Sequence, residues 1–211
     1  MEIVTDRELL DYSGHCVRAC ARELGRAEEG LPPPFVVFTG GRVAEFRKQP
    51  GHGTAVILKG GSDRWQLRYQ AGHEISHWLC TPAEAFPGIF HWTHEMLAFE
   101  LALRCLRGSK IEGSGEYAGR CEQLLERQAR RTSRKRMLTT PLTHPYSWVY
   151  GRAFVTGRQL QDAVGWERVK ELATCFDKRG QPDLRGWLGI LPTDERKQAE
   201  LVLGRPSSDW V

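Results

Sequence analysis

Two histidines and a glutamate in one short segment have the types and spacing that metal-dependent hydrolysis requires. His73 and His77 are four positions apart, and Glu74 follows the first of them in the sequence GHEISHWL. Residues four apart lie on one face of a helix, so both imidazoles can bind a single Zn²⁺ ion. A glutamate beside such a pair is placed to take a proton from water. The segment therefore predicts a zinc site with Glu74 as the general base.

A catalytic zinc also needs a third protein ligand and one open coordination position. Glu95, on the next predicted helix, is the favoured third ligand. The sequence leaves His94, His91 and Glu100 open as alternatives. Glu95 and Glu100 are five positions apart and point in different directions on a helix, so we expect only one of them to face the metal.

Five residues of this region, His73, Glu74, His77, Glu95 and Ala98, resemble the pattern of the gluzincin metallopeptidases, the thermolysin-like and aminopeptidase-like clan. In that clan a second helix supplies the third ligand, often within a Glu-x-x-Ala context. The resemblance implies that the ligands are His73, His77 and Glu95 and that Glu74 is the base. It also implies a small sheet packed on the helix that carries the histidines.

The specific part of the resemblance is short, residues 72–100, and two positions in it depart from the pattern. Gln70 is larger and more polar than the small or aliphatic residue usual three places before the first ligand. Phe99 occupies the place, four after Glu95, where an aspartate would support a ligand histidine. Glu100 is the alternative source of that support.

The developing oxyanion needs a donor besides the metal, and three residues downstream are candidates. Tyr150 is favoured, because Gly151 after it would let the backbone approach closely; His144 and Tyr146 remain alternatives. By the resemblance, a tyrosine or histidine after the third ligand commonly has this role. For each residue the competing interpretation is core packing with a satisfied polar atom.

The elements around these residues follow from periodicity and turn residues. Thr5 and Asp6 can cap a first helix that ends near Leu24. Extended stretches follow at residues 35–39, 42–47 and 54–59, and residues 64–69 could form a fourth strand or lead into a helix. Gly40 and Gly41 favour a tight turn between the first two strands. We expect residues 54–59 to lie at the rim of the cleft, where they form either an edge that binds an extended peptide or an ordinary strand paired on both sides.

Helices are predicted at residues 71–79, at 94–107 after a Thr93 cap, at 116–136, within 146–176 with a break near Gly157 or Gly165, and at 194–203. The predicted fold class is therefore α+β, with a small twisted sheet of three to four strands followed by a mainly helical, zincin-like part. The predicted divisions are an N-terminal helix and connector (1–30), a catalytic domain (31–176) and a C-terminal extension (177–211).

Composition and charge argue against a nucleic-acid-binding protein and against a membrane protein. The net charge of +4 is mild, and the basic run RQARRTSRKR lacks interleaved aromatic residues, so it predicts a solvated helix face rather than a nucleic-acid surface. No apolar run approaches the roughly 20 residues of a membrane span. Cytoplasmic location is the expectation for such a chain, and in that reducing compartment the six cysteines, which form no CxxC pair, are expected to be small and mostly buried side chains.

These features together predict a zinc-dependent metallohydrolase, of peptidase type, that acts on a peptide or protein. The alternative is a zinc-binding regulatory or interaction module without catalysis. The glutamate beside the ligands favours the enzyme, because a structural site uses all four positions and has no need of a base.

Overall fold

The computed structural model describes residues 2–3, 6–26, 36–41, 44–49, 53–80, 91–133, 137–138, 147–177 and 182–204. The chain divides into two compact units. The first comprises Met1–Cys80 and Ala98–Cys121, and the second comprises Thr81–Leu97 and Glu122–Val211. The predicted divisions at residues 30 and 176 remain predictions.

The first unit contains a small sheet of short strands: β1 (Glu2–Ile3), β2 (Val36–Gly41), β3 (Glu45–Gln49) and β4 (Gly53–Lys59). Their order across the sheet is β1-β2-β4-β3. β2 and β4 are parallel, whereas β1 pairs with β2, and β3 with β4, in antiparallel fashion. Strand β4 is thus an interior strand, and its residues Ala55, Val56, Ile57 and Leu58 are all buried.

One prediction about these strands is wrong, and one of two open alternatives is decided. β2 and β3 do not form a hairpin, because β4 lies between them. The pair Gly40-Gly41 instead lies beside Gly60, where β2 and β4 end next to each other. The Gly60 N–H donates a hydrogen bond to the Gly41 carbonyl (2.9 Å). A Cβ on Gly60 would lie 3.0 Å from the Cα of Gly40, so this approach requires glycine. The stretch at residues 54–59 is also not an edge, since it is paired on both sides.

Helix α1 (Arg7–Glu23) precedes most of the sheet and packs against α2. As expected, Asp6 caps it, accepting a hydrogen bond from the Leu9 N–H (3.2 Å). The helix stops at Leu24, and Gly25 follows in the left-handed conformation with φ 64°.

Helix α2 (Arg64–Cys80) begins earlier than the predicted residue 71, so residues 64–69 are helical. A capping box explains the early start: Asp63 accepts from the Gln66 N–H (2.8 Å), and the Gln66 side chain accepts from the Asp63 N–H (3.3 Å). Gln70 then ties the helix to the sheet, because its side-chain oxygen accepts from the Lys59 N–H at the end of β4 (2.9 Å). This contact accounts for a polar residue at position 70.

Helix α3 (Trp92–Gly108) is continuous, and Ala98 onward belongs to the first unit. His91 lies immediately before it, and its carbonyl accepts from the N–H groups of His94 and Glu95. The helix therefore begins earlier than predicted, and the residue immediately before it is His91 and not Thr93. Helix α4 (Ser114–Ala129) follows, and its Tyr117 stacks on Trp65 of α2 with ring centroids 5.6 Å apart.

The second unit is built from helices: the first turns of α3, the end of α4, α5 (Ser147–Val164), α6 (Trp166–Lys170) with a 3₁₀ turn (Glu171–Ala173), α7 (Leu184–Ile190) and α8 (Thr193–Leu203). The break predicted near Gly157 or Gly165 occurs at Gly165, with φ 84°. The last predicted helix is confirmed as α8.

The predicted α+β, zincin-like fold class is wrong. The described part of the chain is mostly helical, and the sheet is a minor component whose one parallel pair is β2 and β4. The prediction gave the sheet too much weight, because the described strands have only two to seven residues, whereas each of the helices α1 to α5 has 16 to 18. None of the described helices combines the length and apolar character needed to cross a membrane.

Candidate metal centre

The two histidines of the HExxH segment face each other on α2. Their Nε2 atoms are 3.0 Å apart, and their rings are nearly perpendicular, with centroids separated by 4.6 Å and an interplanar angle of 88°. A hydrogen atom on one Nε2 can point at the lone pair of the other. A metal ion that replaced this hydrogen would bind two neutral imidazoles through the same atoms.

Helix α3 approaches α2 closely beside these histidines. Gly72 lies at the approach, since a Cβ there would meet the Cα of Ala102 at 3.4 Å and its Cβ at 3.5 Å. One turn earlier on α3, the ring of Phe99 packs on His73 with centroids 4.6 Å apart. Because α3 is one continuous helix, Glu95 lies a further turn back on the same face as Phe99.

This arrangement brings His73, His77 and Glu95 together. One ligand atom from each residue lies within 4.8 Å of the others, so the group could hold a metal ion. All three donor groups are of kinds that bind transition metals, two imidazole nitrogens and one carboxylate oxygen. The three-residue ligand set predicted from the sequence is therefore assembled by the fold.

The three residues of the group differ in solvent exposure, and Glu95 on α3 is the least exposed. Glu95 is 2% exposed and His77 is 8% exposed, whereas His73 is half-buried. Glu95 also lies in the first turn of α3, where the positive end of the helix dipole favours a carboxylate. A bound cation would further stabilise a charge held this far from water.

The alternative third ligands lie outside this group. Glu100 is buried and accepts a hydrogen bond from Arg104 Nε (2.9 Å), and Arg104 also contacts Glu23 (3.4 Å). His94 packs its ring against Phe176, with centroids 5.7 Å apart. Among the described residues the metal-holding group contains neither Glu100 nor a third histidine, which favours Glu95 over each alternative.

His91 has a structural role at the start of α3. Its Nδ1 accepts from the Thr93 backbone N–H (3.3 Å) and contacts the Thr93 hydroxyl. Burial, and then the neighbouring His94, lower the pKa of His91 to about 3. The ring is therefore neutral at physiological pH, with Nδ1 as an acceptor that helps to cap the helix.

Glu74 is buried, 6% exposed, and adjoins His73 on α2. This placement agrees with a carboxylate that acts next to the ligands rather than as one of them, and the metal-holding group does not include it. Its assignment as general base remains a prediction. Cys80 lies one turn beyond His77, and burial raises the pKa of its thiol to about 12, so it is protonated at neutral pH.

The predicted oxyanion donors are only partly accounted for. Tyr150 is half-buried in the first turn of α5, and its catalytic role remains a prediction; His144 and Tyr146 lie outside the described residues. Gly151, the reason given for favouring Tyr150, does allow a close backbone approach, but to helix α4. A Cβ on Gly151 would collide with the Leu125 carbonyl and, at 2.5 Å, with the Ala129 nitrogen, so this glycine permits the crossing of α4 and α5.

Two aromatic residues near the ligands were not predicted to matter there. Tyr69 is one turn before His73 on α2, with ring centroids 6.1 Å apart and nearly parallel planes, and Phe99 packs on His73 from α3. The signal was available: each aromatic residue is four positions from a ligand, which places it on the ligand's face of the helix.

No protein-family model matches the chain, and no curated protein or solved structure is significantly similar to it.

Proposed function

We propose that the chain is a zinc-dependent metallohydrolase of the peptidase type. The observation that carries the proposal is the grouping of His73, His77 and Glu95 within 4.8 Å, with the buried Glu74 next to the first ligand. Three protein ligands leave a fourth tetrahedral position for water or substrate, which is the arrangement of catalytic rather than structural zinc sites.

The donor set supports zinc in particular. Two imidazoles and one carboxylate form a common ligand set of catalytic zinc, and zinc tolerates the tetrahedral geometry that three ligands and one open position produce. Ligands at ~2.0–2.1 Å from a tetrahedral ion are ~3.3 Å from each other. The observed 3.0 Å between the two Nε2 atoms needs a change of only a few tenths of an ångström.

In the proposed reaction, Glu74 and Tyr150 would each have a separate role beside the metal. When bound, zinc supplies a Lewis acid that polarises a carbonyl and lowers the pKa of water. Glu74 would accept the proton of the attacking water and deliver it to the leaving nitrogen. Burial of Glu74 excludes bulk solvent from this transfer and strengthens its electrostatic interactions. Tyr150 is the proposed donor to the oxyanion.

An extended peptide is the substrate that the sheet of the first unit supports best. Strand β3, Glu45–Gln49, pairs with β4 alone among the described strands, so its other edge can accept a further strand. Strand β3 also packs against α2, the helix that carries both histidines. A peptide bound there would run in the same unit as these ligands.

The experiment compares the wild-type chain with three variants that change a carboxylate to an amide. Glu95→Gln should lose bound zinc, whereas Glu74→Gln should keep one zinc per chain and lose hydrolysis of a mixture of internally quenched peptides. Glu100→Gln is the matched control, because Glu100 is a buried carboxylate on the same helix but is hydrogen-bonded to Arg104. It should keep both zinc and hydrolysis.

Two outcomes would contradict the proposal, the first its assigned base and the second its catalytic function. Unchanged hydrolysis in the Glu74→Gln protein would refute the assigned base. Stoichiometric zinc without hydrolysis of any peptide in the mixture would favour the alternative, a zinc-binding module that does not catalyse.

A further inference from the structure

The ring of His73 has two aromatic side chains of the first unit as neighbours. Phe99 contacts it from α3 at a centroid distance of 4.6 Å and an interplanar angle of 41°. Tyr69 stacks against it from the preceding turn of α2 at 6.1 Å and 29°. With the perpendicular ring of His77, three of the neighbours of His73 are rings.

A metal-binding histidine works well only when its ring is held in the orientation that points its lone pair at the metal. Proteins usually achieve this with a carboxylate or carbonyl that accepts a hydrogen bond from the other ring nitrogen. The sequence places Phe99 where the gluzincin pattern has an aspartate in this role. The ring of Phe99 contacts the ring of His73 directly.

Aromatic packing can do this work by steric restriction. Phe99 is 4% exposed, so its ring is packed in the interior and restricts rotation of the His73 ring that it contacts. Tyr69 is half-buried and limits rotation from the neighbouring turn.

We propose that Tyr69 and Phe99 form an aromatic clamp that fixes the orientation of the His73 ring for metal binding. The clamp rests on the proposed zinc site, since it acts on one of its ligands. Both aromatic residues are positioning residues: they act through His73. Because the ring of Tyr69 does the work, its hydroxyl is not needed for metal affinity.

The clamp predicts a specific pattern of zinc affinities, measured by competition with a chromophoric chelator on the full chain. Tyr69→Leu and Phe99→Leu should each weaken zinc binding about tenfold, the lower end of the effect of losing support for a ligand. Tyr69→Phe should bind as tightly as wild type. In the Co²⁺-substituted protein, the leucine variants should also show altered visible absorption bands, because the ligand geometry changes.

Tyr117→Leu is the matched control. Tyr117 of α4 is half-buried and stacks on Trp65 of α2, at 5.6 Å and 19°, so its described ring partner is an aromatic residue that is not one of the proposed ligands. This variant should leave zinc affinity and the Co²⁺ spectrum unchanged. Tyr69 is half-buried as well, so its variants test the clamp even if Phe99→Leu fails to fold.

The outcomes separate the clamp from the metal site itself. If wild type binds one zinc and Tyr69→Leu binds it equally tightly with an unchanged Co²⁺ spectrum, the clamp is overturned and the site stands. A loss of zinc affinity in Tyr69→Phe as large as that in Tyr69→Leu would also overturn the clamp, because the hydroxyl and not the ring would then support zinc binding. If wild type binds no zinc, both proposals fall.

Discussion

Gly72 of α2 and Ala102 of α3 lie against each other: a Cβ added to Gly72 would lie 3.4 Å from the Cα of Ala102 and 3.6 Å from the Sγ of Cys16. His73 follows Gly72 in the chain, and Phe99, whose ring packs on His73, lies one turn before Ala102 on α3. We therefore expect the separation of α2 and α3 at Gly72 to affect the orientation of the His73 ring and the proposed metal binding.

Substitution of Gly72 should reveal this dependence on helix separation. Alanine fits at ordinary contact distance and gains helix propensity, so Gly72→Ala should change the free energy of unfolding by no more than about 1 kcal/mol and keep zinc affinity. Gly72→Leu should destabilise by about 1–3 kcal/mol through overpacking and weaken zinc binding. Chemical denaturation and chelator competition measure both quantities. Normal zinc affinity in Gly72→Leu would contradict this account.

Arg104 should matter for stability and not for metal binding. Its Nε donates to the buried Glu100 (2.9 Å), and its guanidinium also contacts Glu23 (3.4 Å). Arg104→Met would leave a buried carboxylate without its cation, so we expect a loss of roughly 2 kcal/mol, below the full cost of a buried pair because Arg104 is one-third exposed. Zinc affinity should not change. A zinc affinity that falls with stability would indicate that Glu100 takes part in the site.

The capping histidine predicts a pH dependence of stability. Burial and His94 lower the pKa of His91 from 6.5 to about 3, so between these values the unfolded chain binds more protons than the folded one. Stability should therefore decrease as pH falls from about 6.5 toward 3, by up to about 1.4 kcal/mol per pH unit. His91→Gln keeps an acceptor at the cap and removes the titration.

The measurement compares denaturation midpoints at pH 7 and pH 5 for the wild type and His91→Gln. The wild type should lose more stability on acidification than the variant does. Equal losses in the two proteins would show that His91 does not carry the dependence.

The cysteines should react in two classes. Cys16, Cys20, Cys80 and Cys105 are buried, and burial raises the pKa of Cys80 to about 12, whereas Cys121 and Cys175 are partly exposed. Since the thiolate is the nucleophile, iodoacetamide at pH 8 should label Cys121 and Cys175 in the native protein and the other four only after unfolding. Mass spectrometry of the labelled peptides checks this. Rapid native labelling of Cys80 would contradict its burial.

Features of the structure that depend on neighbouring residues in the sequence were predicted correctly. The spacing of His73 and His77 placed both on one helix face, Asp6 was identified as a cap, and Gly165 was one of two glycines proposed to end α5. Each of these features depends on residues within a turn or two. The buried cysteines likewise follow from composition.

Features that depend on distant pairing were not predicted correctly. Gly40 allows β4 to approach β2, and nothing near it in sequence distinguishes this role from a hairpin turn. The packing of Phe99 on His73 depends on how α2 crosses α3, which Gly72 and Ala102 determine together. Glu95 was already favoured over Glu100 from the sequence, and the contact of Glu100 with Arg104 adds support that only the folded chain supplies.

X-ray absorption at the zinc edge of the purified, zinc-loaded chain tests the central claim most directly. With His73, His77 and Glu95 as ligands, the spectrum should show only nitrogen and oxygen neighbours at ~2.0–2.2 Å, with the outer-shell scattering of two imidazoles. The Glu95→Gln chain should fail to retain the metal. A sulfur neighbour at ~2.3 Å, or scattering from fewer than two imidazoles, would contradict the proposed site.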